Sequence, residues 1–240
     1  MKHITTILLA TVAAAGLMSS AYAADLIIEQ PMAEVGVVDV GGNWDGPYIG
    51  VFGGYGWGFA DDDASQGGFG MAVDGNDIDL AGGLVGVVVG ANFAVSDGVV
   101  AGIAADLAWA NIGGDIDPAL PGLNPAYIGS SHTINWQGSL RGVLGFDAGS
   151  FMPYLTAGLA VANAERYTPI GATETVSATH VGWTIGAGAQ VAVTDDLSVD
   201  LQYRYSDFGE ATYDWTPPAA TDRVVGLTTH ALTVGLNWNF

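Results

Sequence analysis

The sequence predicts an all-β fold, an eight-stranded antiparallel up-and-down transmembrane β-barrel. Three observations predict it. Eight segments alternate apolar and non-apolar residues with a period of 2, the spacing of a pleated strand rather than a helix. Aromatic residues gather near the ends of the apolar faces, as in the interfacial girdles of membrane barrels. The connections alternate between short and long, the asymmetry of barrels with periplasmic turns and extracellular loops.

Composition narrows the alternatives. The chain has 240 residues, 36 Gly, no Cys, five Lys+Arg and 25 Asp+Glu, for a formal net charge of −20. Half of it is apolar, which argues against disorder. Without Cys there is neither a disulfide framework nor a thiol to carry a lipid. Nucleic-acid binding needs Lys and Arg to displace counterions from phosphates, and so few bases cannot supply a basic stripe.

Lys2, the apolar run Ile4–Leu17 and the small-x-small motif Ala21-Tyr22-Ala23 have the pattern of a secretory signal peptide over residues 1–23. The run is too short for a transmembrane helix, which needs roughly 17–25 residues. Residues 24–45 carry Asp25, Glu29, Glu34, Asp39 and Asp45 with no base and read as an acidic N-terminal periplasmic arm. The barrel is placed at 46–240.

The strands are expected near 47–59, 79–93, 99–111, 132–146, 151–163, 179–193, 197–206 and 228–240. Each has one apolar face. Ile49, Val51, Tyr55, Trp57 and Phe59 share the first, and Leu232, Val234, Leu236, Trp238 and Phe240 share the last. A soluble sandwich also alternates, so the girdle and the loops decide. Girdle candidates are Tyr48, Trp57, Phe93, Trp109, Trp136, Phe146, Trp183, Tyr203, Tyr205, Trp238 and Phe240. No Lys or Arg falls on an apolar face, where the bilayer midplane costs about 2–4 kcal/mol. Gaps at 94–98, 147–150 and 194–196 are short, and those at 60–78, 112–131, 164–178 and 207–227 are long. In hydrocarbon no water satisfies an edge strand, so the first and last strands must pair. Phe240 then reads as a structural C-terminus and assembly signal.

An eight-stranded barrel is just wide enough to fill with side chains. Asp106, Arg141, Asp200, Arg204, Gln190, Gln202 and Asn135 are expected inward among many Gly and Ala. Buried charges must pair, so a lumen network is expected around Arg141 and Arg204 with Asp106 and Asp200. The same groups could serve a gate or ion path, but the small diameter favours a polar core that satisfies itself.

Other motifs are thin. Gly54-Tyr55-Gly56 and Gly186-Ala187-Gly188 lack the third glycine, the lysine and the following helix of a nucleotide loop. Asp61, Asp62, Asp63, Asp74, Asp77 and Asp79 fail the EF-hand pattern, leaving weak divalent-cation binding or, more simply, a solvated acidic loop. His132, His180 and His230 match no catalytic motif. Pairing His132 with Ser130 or Ser131 as a lipid A-directed centre is the remaining enzymatic option. No catalytic residue, metal site or cofactor is assigned.

Trp44-Asp45-Gly46-Pro47-Tyr48-Ile49-Gly50, Gly182-Trp183-Thr184-Ile185-Gly186-Ala187-Gly188, Leu201-Gln202-Tyr203-Arg204-Tyr205-Ser206-Asp207-Phe208-Gly209 and the closing Val234-Gly235-Leu236-Asn237-Trp238-Asn239-Phe240 resemble segments of the RopB-like outer membrane β-barrel family of alphaproteobacteria, within the wider porin-family and opacity-type small surface barrels. The resemblance implies a Gram-negative outer membrane location and an antigenic surface protein that contributes to envelope integrity and host contact. Some relatives are linked to haem binding. Ala104 stands where many relatives carry an inward acid. Implied partners are outer membrane lipid and lipopolysaccharide, the barrel assembly machinery, and host or environmental ligands through the loops. The alternatives to an envelope and surface-interaction role are a small diffusion porin and an adhesin or ligand receptor.

Overall fold

The computed structural model describes residues 44–62, 76–118, 128–169, 174–213 and 223–240. The expected signal peptide, most of the acidic arm and Asp63 and Asp74 of the first loop lie outside the described residues. The elements are β1 (Gly46–Asp62), β2 (Asn76–Ser96), β3 (Val99–Asp115), β4 (Ser131–Phe146), β5 (Phe151–Thr168), β6 (Glu174–Ala192), β7 (Leu197–Tyr213) and β8 (Arg223–Asn239). They form a closed barrel in chain order. Every neighbouring pair is antiparallel, and β8 returns to β1 with Trp238 opposite Ile49. The last amide closes the seam, Phe240 N donating to Pro47 O at 3.1 Å.

Between the girdles the apolar faces look outward. Leu155 is 61% exposed and Ile185 is 51% exposed, fully available to lipid. Their strand neighbours Thr156 and Thr184 are buried. Tyr48 differs from the other aromatics, because its even position on β1 puts it inside with Gly50 rather than outside with Ile49.

The strands are longer than expected, and the added residues are mostly at the long-loop ends. Their alternation continues there but its sense reverses. Above the aromatic level, Ile78, Leu80, Ile112, Ile116, Ile134, Phe208, Tyr213, Val225 and Leu227 are buried in one core with Ala60 and Ala162. Asp61, Asp79, Asp115, Glu165 and Glu210 lie outside. The cause is the solvent on the outer wall. Against lipid, apolar side chains face out; against water, the hydrophobic effect turns them in. Longer strands leave shorter loops, and the β5–β6 connection shrinks to residues 169–173.

Two irregularities adjust the faces. Asn135 has no partner on β3 or β5. This bulge switches the inward set of β4 from Gln137 and Arg141 to His132 and Ile134. Asn135 is half-buried at the switch and is not simply an inward residue. On β7 the register slips between Asp207 and Glu210. Gly209 sits there at φ +64°, and its amide is held by Asp207 Oδ1 at 2.9 Å. A Cβ on Gly209 would approach Val181 O at 3.2 Å in a left-handed backbone, so glycine fits best.

This slip coincides with a split in the wall. The β6–β7 ladder ends at Trp183 opposite Asp207. Above it, β6 from Glu174 to Gly182 pairs only with β5, and β7 from Glu210 to Tyr213 pairs only with β8.

The girdle level makes a testable boundary. Leu155→Arg places a cation on the lipid face midway between Phe151 and the Trp183 level and is expected to destabilise the refolded barrel by about 2–4 kcal/mol. Glu165→Arg, on the outer wall above the girdle, is expected to change stability by no more than about 0.5 kcal/mol. Urea unfolding in lipid vesicles reads both; similar losses would place the lipid boundary elsewhere.

Candidate functional site: the barrel lumen

Inward positions on four strands converge at mid-height. Asp106 comes from β3, Ser139 and Arg141 from β4, Tyr154 from β5, and Asp200, Gln202 and Arg204 from β7. Each owes its direction to strand parity, since it alternates with a lipid-facing neighbour such as Leu107, Leu140, Leu155 or Tyr203.

Asp106 is the hub. Arg141 Nη2 donates to its Oδ2 at 2.8 Å. Arg204 Nη1 donates to both its oxygens at 3.1 Å. The Ser139 hydroxyl also donates to Oδ2. Arg141 and Arg204 are each only 5% exposed and Asp106 is 8% exposed, so these are interior charges. Charge-assisted bonds in such a setting are the strong class.

A second chain of bonds leads away from the hub. Arg141 Nη1 donates to Gln202 Oε1 at 2.9 Å, Gln202 Nε2 donates to Tyr154 OH at 3.0 Å, and Tyr154 donates to Asp200 Oδ1 at 2.7 Å. The pairing therefore differs from a simple two-by-two exchange. One carboxylate takes both guanidinium groups, and Asp200 is held by a phenol. Gln190 is buried opposite Asp200 in the register and makes no hydrogen bond in this chain. Tyr154 was legible in the sequence by parity alone, next to Leu155 on the fifth strand.

Apolar plugs flank the polar level. Toward the short turns, Trp44, Tyr48, Val100, Ala104, Val143, Met152 and Tyr154 form a second core. Trp44 Nε1 donates to Gly149 O at 2.8 Å, which ties the chain before β1 to the β4–β5 turn. Toward the long loops stands the larger apolar core described above. Beside the charges, a cavity of about 20 Å³ is lined by Phe52, Arg141, Asp200, Gln202, Arg204 and Asn237 among others. That volume is about one water.

The histidines separate into two settings. His180 is inside, with Nε2 at 3.0 Å from Tyr213 OH and Nδ1 at 3.4 Å from Gly209 O. The His132 ring meets Tyr213 edge-on at 5.8 Å. Ser130 and His132 are both buried, away from the lipid face. His230 is outside, stacked on Trp57 with centroids 5.7 Å apart and hydrogen-bonded through Nδ1 to the Tyr203 hydroxyl at 2.7 Å. Tyr205 and Trp183 extend this aromatic patch, their rings 5.5 Å apart. Trp57, Phe93, Trp109, Trp183, Tyr203, Trp238 and Phe240 are exposed on the outer wall, with Trp136 and Tyr205 partly covered. Asp61 and Asp77 lie opposite each other in the β1–β2 register. Among the described residues, no group of three His or carboxylate side chains is placed to hold a metal ion.

The two acids have unequal burdens, which stability measurements can separate. Asp106→Ala is expected to cost about 3–5 kcal/mol, because two buried guanidinium groups lose their counter-ion. Asp200→Asn keeps an acceptor for Tyr154 and is expected to cost under about 1 kcal/mol. Urea titration in vesicles, followed by tryptophan fluorescence, compares them. Equal losses would mean that Asp200 shares the cations.

The family described as outer membrane protein beta-barrel domain matches residues 9–240. The chain is 31% identical over 253 residues to the 31 kDa outer-membrane immunogenic protein of Brucella melitensis biotype 1, covering 98% of this chain and 99% of that one. It is 28% identical over 243 residues to the 25 kDa outer-membrane immunogenic protein of Brucella abortus biovar 1, covering 100% of both. A 22 kDa outer membrane protein of Rhizobium leguminosarum bv. viciae is 31% identical over 182 residues, 76% of this chain and 72% of that one. Among solved structures, Neisserial surface protein A is 17% identical with a TM-score of 0.46, over 82% of this chain and 98% of its own. With a closed antiparallel wall, an outward apolar band, the family match and the Brucella and Rhizobium relatives, the chain is an outer membrane protein and belongs to the outer membrane β-barrel family.

Proposed function

We propose that this protein is a closed structural barrel that reinforces the outer membrane and presents its long-loop rim to the surroundings, rather than a diffusion pore. One observation carries the reading: the lumen is filled at three successive levels, by the core around Trp44 and Met152, the network around Asp106, and the core around Ile112 and Phe208. A solute would have to displace packed side chains at each level. The cavity beside Arg141 admits about one water, not a sugar or an amino acid.

The polar network serves the wall in this reading. It ties β3, β4, β5 and β7 across the lumen and keeps the barrel round against lateral pressure. Residues 1–23 serve as the export signal and 24–45 as an acidic arm on the periplasmic side. Phe240, on the outer face at the strand end, serves as the assembly signal for the barrel assembly machinery. The girdle around Trp57, Trp183 and Tyr205 sits at the headgroup level beside lipopolysaccharide.

An enzymatic role finds little support. Ser130 and His132 face the interior, and a centre acting on lipid A would need access from the lipid wall. The relatives named as outer-membrane immunogenic proteins support a surface-contact role through the loops.

Planar bilayers test the closed lumen, and a deletion strain tests the envelope role. Purified protein is expected to give no conductance steps, and cells lacking it are expected to become sensitive to detergent and chelator, with recovery on wild-type expression. Regular single-channel steps altered by Arg141 substitution would overturn the closed-barrel reading. A deletion strain with unchanged detergent tolerance would overturn the envelope role.

A further inference from the structure

The junction between β6 and β7 is held differently above the girdle than below it. Its ladder stops at Trp183 opposite Asp207, although both strands continue toward the rim. At the low end the backbones still touch. A Cβ on Gly209 would meet Val181 O at 3.2 Å, and one on Gly182 would meet Phe208 Cα at 2.7 Å. Above that level side chains make the connection. His180 Nδ1 stands 3.4 Å from Gly209 O, and its Nε2 stands 3.0 Å from Tyr213 OH. Both rings are buried, with centroids 5.8 Å apart. This stretch lies on the part of the wall that faces water, so the two strands can part there without baring peptide groups to lipid.

The geometry fixes the protons. A carbonyl only accepts, so Nδ1 carries the hydrogen of the neutral ring and Nε2 accepts from the Tyr213 hydroxyl. Burial pushes the Tyr213 hydroxyl up to about 12, so it keeps its proton. A second proton on His180 would set an N–H against that O–H. Tyr213 would then have to turn its hydrogen into the apolar core it shares with Ile134, Phe208 and Val225, where an unpaired donor is costly.

The charges around His180 add to this preference. On β5, Ala162 stands opposite it, and the buried Arg166 lies nearer the rim and acts on the Tyr213 hydroxyl. On β4, His132 meets Tyr213 edge-on. On β8, Arg223 is opposite Tyr213 at the rim. The acids are turned elsewhere: Glu165 and Glu210 are exposed on the outer wall, Asp207 Oδ1 takes the Gly209 amide, and Glu174 stands at the rim end of β6. A positive ring would therefore share its surroundings with His132 and Arg166, and like charges disfavour it. Burial holds the His180 ring below its usual value, against the opposite pull of the Gly209 carbonyl. The closed seam thus prefers the neutral ring. Its stability is complete above the ordinary histidine value of 6.5 and falls as pH drops from there toward the buried ring's own value.

We propose that His180 is an acid-released latch on the β6–β7 seam. Neutral, it holds the upper part of β7 through Tyr213 and Gly209. Protonated, it lets go of Tyr213, and the two strands part above Trp183. These strands carry the connections 169–173 and 214–222, so acid changes the surface presented at the rim. The inference goes beyond the structural role proposed above. It leaves the two lower levels of the lumen filled, and its readouts are independent of conductance and of envelope integrity.

The test uses the full barrel protein refolded in lipid vesicles. The chain has no Cys, so Thr179→Cys with Thr212→Cys puts one spin label on each side of the seam, at exposed positions. Glu165→Cys with Ser177→Cys labels the unbroken β5–β6 ladder as a reference. Pulsed electron resonance is expected to show one distance across the seam at about pH 7.5, and a longer one whose population grows reversibly by at least about fivefold at about pH 5. The reference distance is expected to stay fixed. His180→Gln keeps hydrogen-bonding groups without titrating, and is expected to abolish the change. His132→Gln with His230→Gln leaves His180 as the last histidine of the barrel, and is expected to retain it. This second variant decides the matter should His180→Gln fail to refold. An unchanged wild-type distance between the two pH values would overturn the proposal. So would a change that survives in His180→Gln, or one that is lost when only His180 remains.

Discussion

Backbone hydrogen bonding in a medium without water is the constraint on which this molecule depends. A peptide group left unpaired in hydrocarbon costs several kcal/mol. The sheet must therefore have no edge at membrane depth, and β8 returns to β1 along nearly its whole length. Closure with eight strands fixes a narrow interior. That interior must be filled by small residues, by apolar plugs, or by polar groups that satisfy one another. The arrangement around Asp106 is the third solution, placed where the second gives way.

The same constraint relaxes where the wall leaves the lipid. Water can solvate a free edge, so the β6–β7 ladder stops just above Trp183 and not below it. Water also reverses the direction in which apolar side chains are driven. The strands above the girdle behave like a small soluble barrel with its own core around Ile112, Phe208 and Leu227. The bulges at Asn135 and Gly209 lie near this transition. Each re-aims the remainder of its strand so that Ile134 and Tyr213 reach the interior.

The membrane-spanning part was the legible part. Val85, Val87 and Val89 alternate with Gly86, Val88 and Gly90 in one sense throughout, and a period of 2 fixes the outward face at once. The same rule gave the direction of Asp106, Arg141, Gln202 and Arg204. It could not give their partners, because pairing depends on which strands stand across the lumen. Asp200 bonding to Tyr154 instead of an arginine is a fact of three-dimensional placement. The upper wall was missed because a single sense of alternation was followed. Ile78 and Leu80 are as periodic as Val85 and Val87, but in the opposite phase. Asn135 and Gly209 hid the phase on two further strands, since one extra residue moves every later side chain to the other face.

The three charges at the centre come from chain positions far apart: 106, 141 and 204. Arg204 reaches its counter-ion only after the seventh strand has arrived. Until then the Asp106–Arg141 pair stands in an open sheet with no lumen around it, and lipid is a poor solvent for charges that only the closed wall encloses. A partly built sheet is thus penalised in the bilayer while the finished cylinder is not. Insertion becomes all-or-none, with the decision resting on the penultimate strand rather than on the first hairpins to form.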